Sequence, residues 1–166
     1  MKLSDGVEAA IHCASALASL PENAVMSASD LAEAFGVSPS YLLKHLKTMV
    51  AKGLLTSVSG PLGGYRLAKS PSEITFLDIV LAVDGSEPAF RCKEIRRNGP
   101  CPLDSSAYPK PCGIKIAMLK AEQKYRGALA EITIAAVTED HLATSDPRVL
   151  KRGETYLAER ARYQPQ

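Results

Sequence analysis

Cys92, Cys101 and Cys112 lie in a stretch that cannot be one helix, FRCKEIRRNGPCPLDSSAYPKPCGIKIAM, running from Phe90 to Met118. Gly99, Pro100, Pro102, Pro109 and Pro111 interrupt it between Asn98 and Gly113, because proline lacks the N–H a helix needs and glycine favours turns. The segment is therefore a loop, and it divides the chain into a compact first part and an Ala-rich helical part. A loop can bring sulfurs together, and sulfurs held together are commonly reactive, ligated or bridged. The remaining cysteine, Cys13, falls at the edge of the core face of the first predicted helix, where it serves as a small buried hydrophobe.

With 166 residues the chain is long enough for one domain with an extension. No run approaches membrane-spanning length, and the opening MKLSDGVEAA has neither the basic nor the apolar region of a signal peptide. A cytoplasmic protein without membrane contact is expected. In a reducing compartment, irregularly spaced cysteines favour metal, cluster or thiol redox chemistry over structural disulfides. The chain shows no phosphate-cradling glycine loop, no nucleophile elbow and no paired carboxylates suited to a cleft, so neither an enzyme nor a small-molecule substrate is expected.

The net charge of +2 hides an asymmetry. Between Glu33 and Glu73 there is no acidic residue, whereas Lys44, Lys47, Lys52, Arg66 and Lys69 all fall in that window. Such a patch suits a phosphate backbone, and it equally suits a solvated face whose counter-charges come from elsewhere in the fold.

The order of elements favours the first reading. Leu3 to Leu20 form an amphipathic helix stopped by Pro21, with Leu3, Val7, Ala10, Ile11, Ala14, Leu17 and Ala18 inward. Glu8 and His12 are one turn apart on another stripe of that helix, away from the core. SASDLAEAF follows as a short helix, with a capping box at Ser27 and Asp30 and a left-handed stop at Gly36. Ser38 and Pro39 start the next helix, which ends at Gly53 and turns Leu42, Leu43, Leu46, Met49 and Val50 inward.

Ser40, Tyr41, Lys44, Lys47 and Thr48 lie on its outer face, making a helix-turn-helix with a recognition helix. LLTSVSGPLGGYRLAKS then alternates around glycines as a hairpin. The fold class is therefore mainly α with a small β-hairpin wing, a winged helix-turn-helix plus a long helix. Double-stranded DNA is the expected partner, contacted by Ser38, Ser40, Tyr41, Lys44, Lys47, Thr48, Gly63, Gly64 and Arg66.

Thr75 caps a further helix closed by Asp84 and Gly85, completing a head over residues 1–88. After the sensor loop at 89–113, Ile114, Met118, Ala121, Tyr125, Ala128, Ile132 and Ala135 step by four and three, the spacing of a helix-helix seam. Lys115, Lys120, Glu122, Lys124 and Arg126 are read as its outer decoration. Roughly two dozen residues over 114–137 give an element about 36 Å long, and the same helix of a second chain is the expected partner; packing on its own head is the alternative. Residues 138–166 are polar, with a terminal helix from Gly153 to Arg162.

At these residues the chain resembles the Rrf-two family of bacterial winged-helix regulators, which includes the iron-sulfur sensors IscR, NsrR and RsrR. The resemblance covers Met1 to Ala136 and rests on MKLSDGVEAAIHC, VSPSYLLKHLKTMVAKGLL, GGYRLAKSPSEITFLDIVLAVDG and the cysteine loop taken together. It is nearest to the RsrR-like redox sensors. That likeness implies a homodimer with a 2Fe-2S cluster between subunits, held by Cys92 and Cys112 of one chain and by Glu8 and His12 of the other.

Cys101 is an extra thiol relative to that pattern: a third ligand, a resolving thiol, or inert. Ser59 stands where many relatives carry a basic wing residue. The implied function is a homodimeric transcriptional regulator that senses redox state through the shared cluster and binds an inverted-repeat promoter site. A cluster-free thiol/disulfide sensor of the same fold is the alternative. Structural zinc on Cys92, Cys101, Cys112 and a histidine is a third reading.

Overall fold

The apolar stripe of the first helix becomes the centre of the core. In the computed structural model, which describes residues 3–101 and 103–163, α1 runs Asp5–Ala18 and buries Val7, Ala9, Ala10, Cys13, Ala14 and Leu17. Met1, Lys2, Pro102 and residues 164–166, and with them the two ends of the sequence and one breaker of the cysteine loop, lie outside the described residues.

The helix-turn-helix forms where its local signals put it. Helix α2 spans Ala28–Phe35, with the Ser27 hydroxyl accepting the Asp30 N–H and Gly36 left-handed at φ 63°. The N–H of Val37 donates to Ala32 O at 3.0 Å, which closes the turn. Helix α3, Pro39–Ala51, starts with proline in its first turn and buries Leu42, His45, Leu46 and Met49. Strands β2 (Leu55–Val58) and β3 (Gly64–Leu67) pair antiparallel as the wing.

A short strand β1, Ala24–Val25, runs beside the wing. Met26 and Tyr65 exchange N–H···O bonds of 3.0 and 2.8 Å, tying β1 to β3. Gly64 has to be glycine for this approach, since a Cβ there would lie 2.4 Å from Met26 O. Helix α4, Phe76–Val83, carries a full capping box at Thr75 and Asp78. The Asp84 carboxylate beyond its end accepts the backbone N–H and hydroxyl of Ser4, which fixes the entrance of α1.

Three sequence expectations need correction. The helix expected over 114–137 ends early: α5 is Gly113–Glu131, Ile132 is extended, and Thr133 caps a separate α6, Ile134–Thr144. The break has a tertiary cause. Ile132 O accepts the Phe76 N–H and the Ile134 N–H reaches Ile74 O, both at 2.9 Å, while Ile134 is wholly buried in the head's core.

Glu122 is the second correction: it is buried, not an outer decoration of the helix. The third concerns the terminal segment. Helix α7 starts at Pro147 rather than Gly153 and runs to Arg160, and β4 (Arg162–Tyr163) pairs with β1. The Tyr156 hydroxyl donates to Asp30 O at 2.7 Å, and Arg162 bonds the buried Asp30 carboxylate at 2.8 Å. The polar tail is thus a brace on the helix-turn-helix.

Gly6 and His45 form the tightest joint between α1 and α3. A Cβ on Gly6 would stand 2.5 Å from Cε1 of the His45 ring, and His45 is itself buried, its Nε2 without a hydrogen-bond partner among the described residues. Burial pushes its imidazole below the ordinary range, Lys44 adding to the effect and Asp84 opposing it. Gly6→Ala should therefore cost about 1–3 kcal/mol, the range for overpacking a filled core. Urea unfolding measures it, and an unchanged midpoint would mean that the imidazole swings aside freely.

Candidate functional site

Cys92 and Cys112 come together because each sits at a fixed backbone feature. Cys112 is the residue before α5, at that helix's N-terminal end, where unpaired N–H groups favour negative charge. Its thiol lies below the ordinary range, chiefly because the Lys115 N–H stabilises the thiolate. The Ile114 N–H, the Arg96 guanidinium and the Cys92 thiol add to this, against the cost of burial. Cys92 Sγ accepts the Glu94 N–H at 3.4 Å, and Glu94 adopts left-handed φ 50° to present it.

Arg96 faces both sulfurs. It is ion-paired with Glu94 and donates to Lys110 O at 3.3 Å, and its guanidinium lies 5.3 Å from the Tyr108 ring centre. Two thiols with N–H donors and a guanidinium beside them form a corner suited to thiolate chemistry or to iron. Cys101 is exposed on the same loop. Cys13 is the opposite case: burial pushes its thiol up to about 12, which leaves it protonated and inert.

The corner is held on α5 by a clamp that the sequence did not reveal. Glu122 accepts the Ala89 N–H at 3.0 Å and pairs with Arg126 at 2.7 Å. Arg126 in turn donates to Ser86 O and Glu87 O at 3.1 and 3.2 Å. The linker leading to Cys92 is therefore fastened to the same helix that begins beside Cys112. A cleft of about 720 Å³ opens next to this clamp, between Tyr41, Asp84, Arg91 and Tyr125.

Glu8 and His12 are exposed on α1, one turn apart. The His12 ring packs on Phe35 at the end of α2, centroids 5.3 Å apart and planes tilted 36°. Among the described residues no three His, Cys, Asp or Glu side chains of one chain gather into a metal-holding group.

On the outer face of α3, Ser40, Tyr41, Lys44 and Lys47 are exposed, as is Ser38 before it. The Ser38 and Ser40 hydroxyls lie 2.9 Å apart, and the Tyr41 ring meets His45 edge-on at 4.7 Å. Thr48 is half-buried, its hydroxyl donating to His45 O at 2.8 Å. In the wing, Arg66 is exposed. Gly63 is buried and its N–H closes the turn onto Gly60 O at 2.9 Å, so Gly63 and Gly64 shape the wing. On α5, Ile114, Met118 and, just past its end, Ile132 remain 67, 44 and 38 % exposed, an uncovered apolar stripe.

Comparison with known proteins agrees with this anatomy. The chain is 37% identical over 142 residues to YffB of Lactococcus lactis, named as an HTH-type transcriptional regulator, covering 84% of this chain and 88% of that one. It is 43% identical over 65 residues to the HTH-type transcriptional regulator IscR of Photorhabdus laumondii, 39% of this chain and 40% of the relative. Two solved structures share the fold. T. potens IscR superposes with a TM-score of 0.65 at 23% identity, over 91% of this chain and 96% of that one. CymR, the global cysteine regulator of B. subtilis, gives 0.65 at 19%, over 84% and 97%.

These relatives are transcriptional regulators rather than enzymes, and no helix of the described residues is long and apolar enough to cross a membrane. Residues 3–140 match the family described as Rrf2, iron-dependent transcriptional regulator, so the chain belongs to the Rrf2 family of winged-helix transcriptional regulators.

Proposed function

We propose that this regulator works in the cytoplasm as a homodimer whose grip on an inverted-repeat promoter follows the state of a 2Fe-2S cluster shared between subunits. Cys92 and Cys112 of one chain and Glu8 and His12 of the other would hold it. The observation that carries this reading is the division of ligands. The buried Cys112 and half-buried Cys92 stand together in one place and the exposed Glu8 and His12 in another, and among the described residues no third ligand joins either pair within a chain. The uncovered stripe of α5 offers the seam that would bring the two pairs together.

A bound cluster would supply one-electron chemistry. The residues around it have separate tasks. The Lys115 N–H and Arg96 favour the Cys112 thiolate and the Glu94 N–H orients Cys92 Sγ, while a histidine ligand can couple electron transfer to proton uptake. Cys101 is exposed and is proposed as dispensable for ligation. The recognition surface is Ser38, Ser40, Tyr41, Lys44, Lys47 and Thr48, with Arg66 adding a phosphate contact from the wing that Gly63 and Gly64 shape. Twofold symmetry would set two copies of α3 into successive major grooves, and a change in subunit spacing would break that match.

The nearness of Cys92 to Cys112 also favours a second reading. In cluster-free protein, a peroxide could oxidise both thiols to an intrachain disulfide, taking two electrons and releasing two protons. Anaerobic purification with iron and sulfide analysis separates the two. Two irons and two sulfides per complete four-residue ligand set, that is per subunit of the dimer, with visible colour, support the cluster. A colourless protein whose DNA binding responds only to thiol oxidants supports the disulfide.

A further inference from the structure

We propose that Phe35 is a positioning residue that holds the His12 imidazole and relays its state to the recognition helix, an inference that rests on the cluster reading of His12. Phe35 is the last residue of α2, and only Gly36 and Val37 separate it from Ser38, the cap of α3. Its ring packs on the His12 ring, centroids 5.3 Å apart. Phe35 is 36 % exposed and lies against a polar side chain on the non-core face of α1.

The mechanics follow from the turn. Gly36 is left-handed, and the Val37 N–H donates to Ala32 O, so the α2 end and the α3 start move as one corner. Were His12 to serve as a ligand, any shift of its imidazole would change what the Phe35 ring rests on. That displacement would reach Ser38, the cap of α3, and the first turn behind it, which carries Ser40 and Tyr41. The aromatic ring gives the contact its shape, since tilted ring pairs 4.5–7 Å apart are held beyond simple area burial. Leucine at position 35 would keep most of the volume without the ring, and tyrosine would keep the ring.

The test compares full-length wild type, Phe35→Leu and Phe35→Tyr. In iron-free protein, the His12 ring protons are read by NMR and assigned against His12→Gln. Wild type and Phe35→Tyr should show a ring-current displacement that Phe35→Leu lacks. In anaerobically purified protein, affinity for an inverted-repeat duplex selected with wild type from a random library is measured with the cluster oxidised and reduced. The wild-type ratio should fall in the usual coupling range, roughly 5- to 150-fold, and collapse to within about 2-fold in Phe35→Leu with iron content unchanged, while Phe35→Tyr keeps it.

A coloured wild type whose ratio survives intact in Phe35→Leu overturns the relay alone. A colourless wild type that retains the ring-current displacement overturns the cluster reading and the relay with it, leaving only the contact. Absence of the displacement in wild type overturns the contact itself.

Discussion

Cys112→Ser is expected to yield a folded, dimeric protein stripped of its visible chromophore. Serine is a strong residue at a helix N-cap, so α5 should start where it does now, and far-UV circular dichroism should be unchanged. What is lost is the thiolate that the Lys115 and Ile114 N–H groups and Arg96 stabilise. Removing a hydrogen-bonding partner of a metal ligand typically costs about 10–100-fold in metal affinity, and removing the ligand itself should exceed that. Iron and sulfide should both fall to background, and DNA binding should lose its dependence on redox state. Cys92→Ser should match it, whereas Cys101→Ser should retain most of the chromophore. Retention of full colour by Cys112→Ser would remove the thiol corner from the account.

The second large effect concerns DNA. Lys44 and Lys47 stand exposed on α3, inside the stretch from Glu33 to Glu73 that has no acidic residue. On the proposed contacts, a dimer lacking both in each subunit would lose four phosphate contacts. The slope of log affinity against log salt should fall by about 3 to 4, and affinity near physiological salt by roughly 10²–10³-fold. The loss should be nearly uniform across sequences, because phosphate contacts position the protein without reading bases. Lys120→Ala on α5 serves as a charge control and should change little. An unchanged slope in the double variant would mean that α3 does not lie on the duplex.

The helix-turn-helix and wing were legible because each boundary has a local cause. Ser27, Gly36, Ser38 with Pro39, and Gly53 punctuate the chain within a turn of where the helices start and stop. The inward position of Cys13 and the outward one of Glu8 and His12 follow from the helical period alone.

What could not be read depends on distant partners. The apolar period of α5 continues through Ile132 and Ala135 and masks the local mark of its end, Thr133 as the cap of α6. The backbones of Phe76 and Ile74 capture Ile132 and Ile134 and impose the break. Glu122 looks like a solvent charge beside Lys120 and Lys124 until the linker carrying Ala89 folds over it.

The C-terminal brace was hidden for a related reason. Its composition is polar, and its attachment to the head relies on a few long-range contacts, among them those of Tyr156, Arg160 and Arg162 with Asp30. Phe35 was absent from the candidate site because its partner His12 belongs to another helix. Side-chain spacing along one helix carries no information on that pairing.

The sharing of one centre by two chains is tested most directly with mixed dimers. One subunit carries Glu8→Ala and His12→Ala, the other Cys92→Ser and Cys112→Ser, and each is distinguished by its own affinity tag. Each parental homodimer lacks half of every ligand set and should be colourless. The mixed dimer brings together one complete set and one empty one, so after anaerobic reconstitution it should hold a single cluster, with half the iron and sulfide of wild type. A mixed dimer as colourless as its parents would contradict ligation across the interface.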